Sequence, residues 1–222
     1  MDNKGKKWTE EEDKKLYSYI HQNANISEIS DIFQRTEYAI ELRIKRLKIQ
    51  KIINDRQIKK LVHFTDVWNS FYIGKYGILS IEELKKLNLK YFANDQERLD
   101  NMPNFISLSV TNINSHLLKK FSLRNKRTWI RFDIDPYVLL RHDNFFFHTN
   151  AASSLFPSNK DDEEFSTPEA FSKMFDLEVP TSRGHQKRRK QNPNETTCSQ
   201  AEILVKGRIT RDYIIGWEQV TT

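Results

Sequence analysis

The sequence holds a single cysteine, Cys198, which excludes an internal disulfide framework and cannot by itself build a zinc site. No apolar run approaches the roughly 20 residues that span a bilayer. The opening MDNKGKKWTEEED has no hydrophobic stretch of the secretion-signal kind. These absences point to a soluble cytoplasmic protein without membrane contact. A Gly-rich dinucleotide fingerprint, a P-loop and a metal-ligating histidine pair are missing too, so the common NAD-binding folds and the kinases have nothing to rest on and no metal is expected. Core-forming residues are plentiful: 37% of the 222 residues are hydrophobic, with 14 Phe, 8 Tyr and 4 Trp. Disorder throughout is excluded, and the length suits one medium domain plus a small one.

The net charge of +6 is unevenly spread. Residues 1–53 carry 11 basic and 9 acidic groups, and residues 54–182 carry 17 of each. Residues 183–211 carry 8 basic and 2 acidic groups, centred on Arg183, Lys187, Arg188, Arg189 and Lys190. Such a block attracts polyanions through counterion release; read alone, a charge run is more often a solvated loop than a binding site. The acidic run Asp161–Glu164 reads as a plain surface loop.

Thr9 followed by Glu10, Glu11 and Glu12 is a capping-box signature. The helix it opens carries Leu16, Tyr19 and Ile20 on one side and ends at Asn23–Asn25. Ser27 is expected to cap a second helix with Ile29, Ile32 and Phe33 inward. After Gln34 and Arg35, Thr36 caps a third helix to about Ile49, with Ile40, Ile44 and Leu47 inward and Arg43, Lys45, Arg46 and Lys48 on the exposed face. Three short helices with a tight turn before a basic third helix describe a helix-turn-helix unit. The string WTEEEDKKL…ISEISDIFQRTEYAIELRIKRL resembles Myb/SANT-like modules, although only Trp8 of their spaced tryptophans is present. Residues 1–53 are therefore a three-helix module that contacts duplex DNA or a protein, and 54–222 form the second domain.

In that second domain LVHFT (61–65), FISLSV (105–110), TWIRFDID (128–135) and AEILVKGRI (201–209) read as strands. Helices are expected over Val67–Lys75 and Ile81–Asn88. Strands interleave irregularly with helices and no parallel βαβ repeat is evident, so the class is α+β. His63 and Thr65 share one face of an apolar strand, NDQERLDN (94–101) crowds charges and amides into a loop, and Glu202 opens an apolar strand. Each alone has an ordinary structural reading.

Taken in order, HFT, NDQERLD, ISLSV, NAAS (150–153), MF (174–175), PT (180–181) and QAEILV (200–205) resemble the DarT family of toxins, from about Leu61 to Tyr213. The resemblance implies an ADP-ribosyltransferase fold related to the poly-ADP-ribose polymerases. The implied activity is transfer of ADP-ribose from NAD to a base in single-stranded DNA, in a bacterial toxin–antitoxin or phage-defence setting, opposed by a macrodomain antitoxin. The mRNA-directed toxin CmdT looks similar and keeps RNA open as the target. A protein-directed transferase and a non-enzymatic DNA-binding regulator are the competing classes.

Carried over by the resemblance, Glu202 is the catalytic glutamate and Arg98 the essential arginine that holds the NAD phosphates. His63, Thr65, Asn94, Ser107, Ser109, His148 and Asn150 complete the NAD site. The chemistry agrees with this set. Cleaving the nicotinamide–ribose bond builds positive character on the ribose, as glycoside cleavage does. A carboxylate favours that charge and accepts the proton of the attacking base, and an arginine suits two phosphates. The departure is the link SRGHQKRRKQNPNETTCS (182–199), longer and more basic than is typical of the family. It stands at the target-selecting position, and Lys187, Arg188, Arg189, Lys190 and Gln200 are expected to hold nucleic acid there.

Overall fold

The computed structural model describes residues 3, 5–92, 101–124, 127–157 and 163–220. Its contacts separate into two compact units, Met1–Lys51 and Ile52–Thr222.

In the first unit the Thr9 capping box closes: Glu12 N–H donates to Thr9 Oγ1 at 3.2 Å, and Thr9 N–H donates to a Glu12 carboxylate oxygen at 2.8 Å. Helix α1 (Glu10–His21) follows. Helix α2 (Ile26–Phe33) is capped by Asn25 rather than Ser27, because the short Asn25 amide reaches the Ser27 N–H at 2.9 Å. Gln34 turns the chain at a left-handed φ of 53°. Helix α3 (Glu37–Asp55) then runs past the expected end at Ile49, as Ile53 extends the buried spacing. Leu16, Ile29, Phe33, Ile40 and Leu47 form the core. Arg35 is almost wholly buried: its guanidinium lies 4.2 Å from the Trp8 ring centroid, pairs with Glu12 at 3.0 Å and donates to the Lys6 carbonyl at 2.8 Å. Arg43, read as a surface cation, is ion-paired with Asp13.

The second unit begins its sheet with β1 (Leu61–Asp66). The stretch expected as one helix from Val67 divides into a 3-10 turn at Val67–Asn69 and α4 (Ser70–Tyr76). After β2 (Ile78–Leu79) and α5 (Ile81–Lys86) come β3 (Phe105–Val110), α6 (Ser115–Arg124) and β4 (Trp129–Ile134). Next are β5 (Asn144–Phe147), α7 (Pro168–Lys173), β6 (Glu178–Thr181) and β7 (Gly184–Lys187). The strand expected over 201–209 is two, β8 (Glu202–Lys206) and β9 (Arg208–Ile209), parted by Gly207 at φ +81°. β10 (Ile214–Val220) closes the chain of elements. The basic link is thus only partly a loop, since β7 pairs antiparallel with β6 from Glu178↔Lys187 to Thr181↔Gly184.

The main sheet has the order β10-β4-β1-β3-β8-β5, and each pairing is antiparallel. The mixed helix-and-sheet fold is what the sequence implied; the antiparallel pairing is a finding of the structure. Two aromatic groups fill the space against it: Phe64, Phe121 and Trp129 at one end, and Phe147, Phe156 and Phe165 at the other. One break in the sheet sets up the site. β1 pairs with β4 at all six residues, but with β3 only at Leu61↔Val110 and Val62↔Ser109. After Val62 the β1–β3 ladder ends and a cleft opens.

Candidate active site

His63 lies just past the break in the sheet. Its Nδ1 is 3.0 Å from the Ser107 carbonyl of β3; a carbonyl can only accept, so Nδ1 carries the proton and the ring orientation is fixed. Two residues on, Thr65 Oγ1 accepts a hydrogen bond from the Asn69 amide at 2.8 Å. Asn69 also donates to the Phe92 carbonyl at 2.9 Å and accepts from the Phe92 N–H at 3.0 Å. The chain entering the 94–101 segment is thereby tied to the end of β1.

Glu202, the first residue of β8, is 9% exposed. The Ser107 hydroxyl donates to one of its carboxylate oxygens, and the Ala151 N–H donates to the other at 2.9 Å. β3 presents Ser107 because it pairs with β8 at Ser107↔Leu204, and β5 pairs with β8 at Phe147↔Glu202, which carries the turn at 150–153 over the carboxylate. Asn150 shapes that turn by accepting the Ala152 N–H at 2.8 Å.

His63, Thr65, Ser107, Ser109, Asn150 and Glu202 line one cleft. Tyr72, Tyr91, Phe92 and Phe105 give it apolar walls. Asn94 and Arg98 lie outside the described residues. His148 is not among the cleft-lining residues. It is buried against Phe156, ring centroids 5.3 Å apart. Burial and the nearby Lys173 ammonium push its pKa down to about 4, against a hydrogen bond with the Pro180 backbone. Sequence reasoning also missed Asn69 and the Ala151 amide. An asparagine four residues after Thr65 was visible, whereas a backbone donor has no sequence signature.

A second, polar groove adjoins the cleft, and the two share Leu117, Asn150 and Ala152. Lys187, Arg189 and Gln200 line it. Lys190 is exposed but is not among its lining residues. Arg188 corrects the expected set. Its guanidinium turns inward, donating to the carbonyls of Asn192 at 2.6 Å and Glu195 at 2.8 Å and to Thr197 Oγ1 at 3.3 Å. Among the described residues no cluster of His, Cys, Asp and Glu could hold a metal ion, and no helix is long and apolar enough to cross a membrane.

A family model described as DarT, ssDNA thymidine ADP-ribosyltransferase, matches residues 62–217, which takes in the cleft and the groove. The chain belongs to the DarT family. Among solved structures, Thermosipho africanus DarTG in complex with ADP-ribose aligns at 16% identity with a TM-score of 0.42. The alignment covers 72% of this chain and 43% of that one, so this DarT-family chain spans less than half the length of that relative. No curated protein matches the chain.

Proposed function

We propose that the chain transfers ADP-ribose from NAD to a thymidine base in single-stranded DNA. The observation that carries this reading is Glu202. A nearly buried carboxylate, with its two oxygens oriented from β3 and from the turn after β5, lies at a cleft that His63 and Thr65 also line. NAD is a substrate here, and the bond from its ribose to nicotinamide is exchanged for a bond to a base nitrogen. Glu202 stabilises the positive charge that develops on the ribose and accepts the proton lost by the attacking nitrogen. Nicotinamide departs neutral, and the proton passes to solvent.

In this reading His63, Thr65, Asn94, Ser107, Ser109 and Asn150 contact NAD, and Arg98 neutralises its phosphates. His148 supports Phe156 and the 150–153 turn from behind rather than touching NAD. The apolar walls keep water from the reacting ribose, which favours transfer over hydrolysis. The family's toxin setting carries a macrodomain antitoxin and the bacterial cytoplasm into the proposal. Residues 1–53 act as a Myb/SANT-like module that engages duplex DNA or a protein partner.

Incubation of the purified protein with NAD and short DNA or RNA single strands, read by mass spectrometry, tests the proposal. One ADP-ribose on a thymidine-containing DNA, absent with Glu202→Ala, is the expected result. An adduct on RNA alone moves the target to RNA. NAD binding without an adduct on either overturns the nucleic-acid reading.

A further inference from the structure

Among the described residues seventeen line the polar groove beside the cleft, and none is Asp or Glu. Four of them are fixed cations: Lys120, Arg183, Lys187 and Arg189. Three belong to the β6–β7 hairpin and its exit, within the segment already expected to hold nucleic acid. Lys120 does not. It comes from α6, more than sixty residues upstream, together with His116 one helical turn before it. Residues at i and i+4 share one helix face, so α6 presents both side chains to the groove.

The two walls are tied together at a set spacing. Asn114 caps α6 by accepting the Leu117 N–H at 3.1 Å. In the turn just before, Thr111 Oγ1 donates to the Asn194 carbonyl at 2.6 Å and the Asn112 amide donates to Glu195 at 2.9 Å. Arg188 gathers the Asn192 and Glu195 carbonyls of the same loop from inside. The hairpin exit is therefore bonded to the root of α6. Leu117 stands at the seam, lining the cleft and the groove alike.

We infer that a nucleic-acid single strand runs between α6 and the β6–β7 hairpin, with Lys120 and His116 holding its phosphates from the wall opposite Arg183, Lys187 and Arg189. This inference rests on the proposed nucleic-acid substrate. Lys187 is partly offset by the Glu178 carboxylate of β6, 3.9 Å away, but Lys120, Arg183 and Arg189 keep both walls positive, which is complementary to a phosphodiester chain. Among the described residues the groove has no Phe, Tyr or Trp lining, so its grip comes chiefly from phosphate contacts and amide side chains rather than from a platform of stacked bases. A base must leave its stack to reach Glu202, which a single strand permits at lowest cost.

The test is anisotropy of a labelled thymidine-containing DNA single strand, and its RNA counterpart, over a range of salt. Lys120→Ala is expected to weaken binding several-fold and to lower the slope of log affinity against log salt by about 0.7, the value of one phosphate contact to a single strand. Lys119→Ala removes the same charge from a neighbouring exposed position that does not line the groove, and it should leave affinity near wild type. Equal melting temperatures for the two variants establish that neither is misfolded. Lys120→Ala binding like wild type, or equal losses from both variants, overturns the α6 wall while leaving the substrate class standing. A wild-type protein that binds neither strand overturns the substrate class as well.

Discussion

Glu202 receives one hydrogen bond from Ser107 on β3 and another from the Ala151 amide after β5, so its geometry depends on two separate pieces of chain. Removing the hydroxyl in Ser107→Ala should lower the rate constant of transfer about ten- to a hundred-fold, the worth of a hydrogen bond to a carboxylate, about 1.5–3 kcal/mol. KM for NAD should change little, and steady-state kinetics separate the two constants. Glu202→Gln should abolish transfer while NAD still raises the melting temperature. His148 makes a different prediction. Its pKa is pushed down to about 4 from an ordinary 6.5, so the unfolded chain takes up this proton first as pH falls. The stabilisation is fully present above about pH 6.5 and lost on the way to pH 4. Denaturation series at several pH values should show a steeper acid decline for wild type than for His148→Gln; parallel declines would place the effect elsewhere.

At the scale of elements, the loop over 188–197 is fixed by its own arginine. Arg188→Ala leaves the Asn192 and Glu195 carbonyls without their donor, at a cost of about 1–3 kcal/mol. Modification of nucleic acid should fall while NAD-induced stabilisation persists, whereas Lys190→Ala should leave stability and modification near wild type. Differential scanning calorimetry with and without NAD reads the stability, and mass spectrometry of the single strand reads the modification. From composition the three arginines and two lysines at 183–190 were interchangeable positive charge; only the fold distinguishes the one that faces inward. Strand β3, with its regular alternation, was fully legible in advance, as were β1 and β4. α6, β5, α7, the β6–β7 hairpin and β10 were not. The four residues of β5, NFFF, are too few to establish a period, and β7, GHQK, has no apolar residue; its partner β6 makes it a strand. α3 outran its expected end because its last turn is held by burial of Ile53, which no capping residue announces.

For the whole molecule, HFT, ISLSV, NAAS and QAEILV bring His63, Thr65, Ser107, Ser109, Asn150 and Glu202 to one cleft although they are spread over some 140 residues of sequence, whereas Thr181 of PT lines the neighbouring groove, MF is buried in the core and NDQERLD lies outside the described residues. The roles of Asn69 and His116 were not legible, since neither belongs to a block and both act through tertiary placement. NAD at about 100 times its dissociation constant should stabilise the protein by roughly 2.7 kcal/mol, visible as a rise in melting temperature. Transfer to a single strand should weaken steeply with added salt, because the charge that draws the strand is concentrated at 183–211 and across the groove.

The early end of the β1–β3 ladder also sets where this domain yields first. β10, β4 and β1 form one hydrogen-bonded raft and β3, β8 and β5 another, and the pairs at Leu61↔Val110 and Val62↔Ser109 are the ladder between them. In deuterated solvent the amides along the cleft-facing edge of β1 should exchange well before those between β3 and β8, and a ligand bridging the two rafts should slow them. A substrate would then serve as the missing rungs, and the enzyme would be most firmly built at the moment it is loaded.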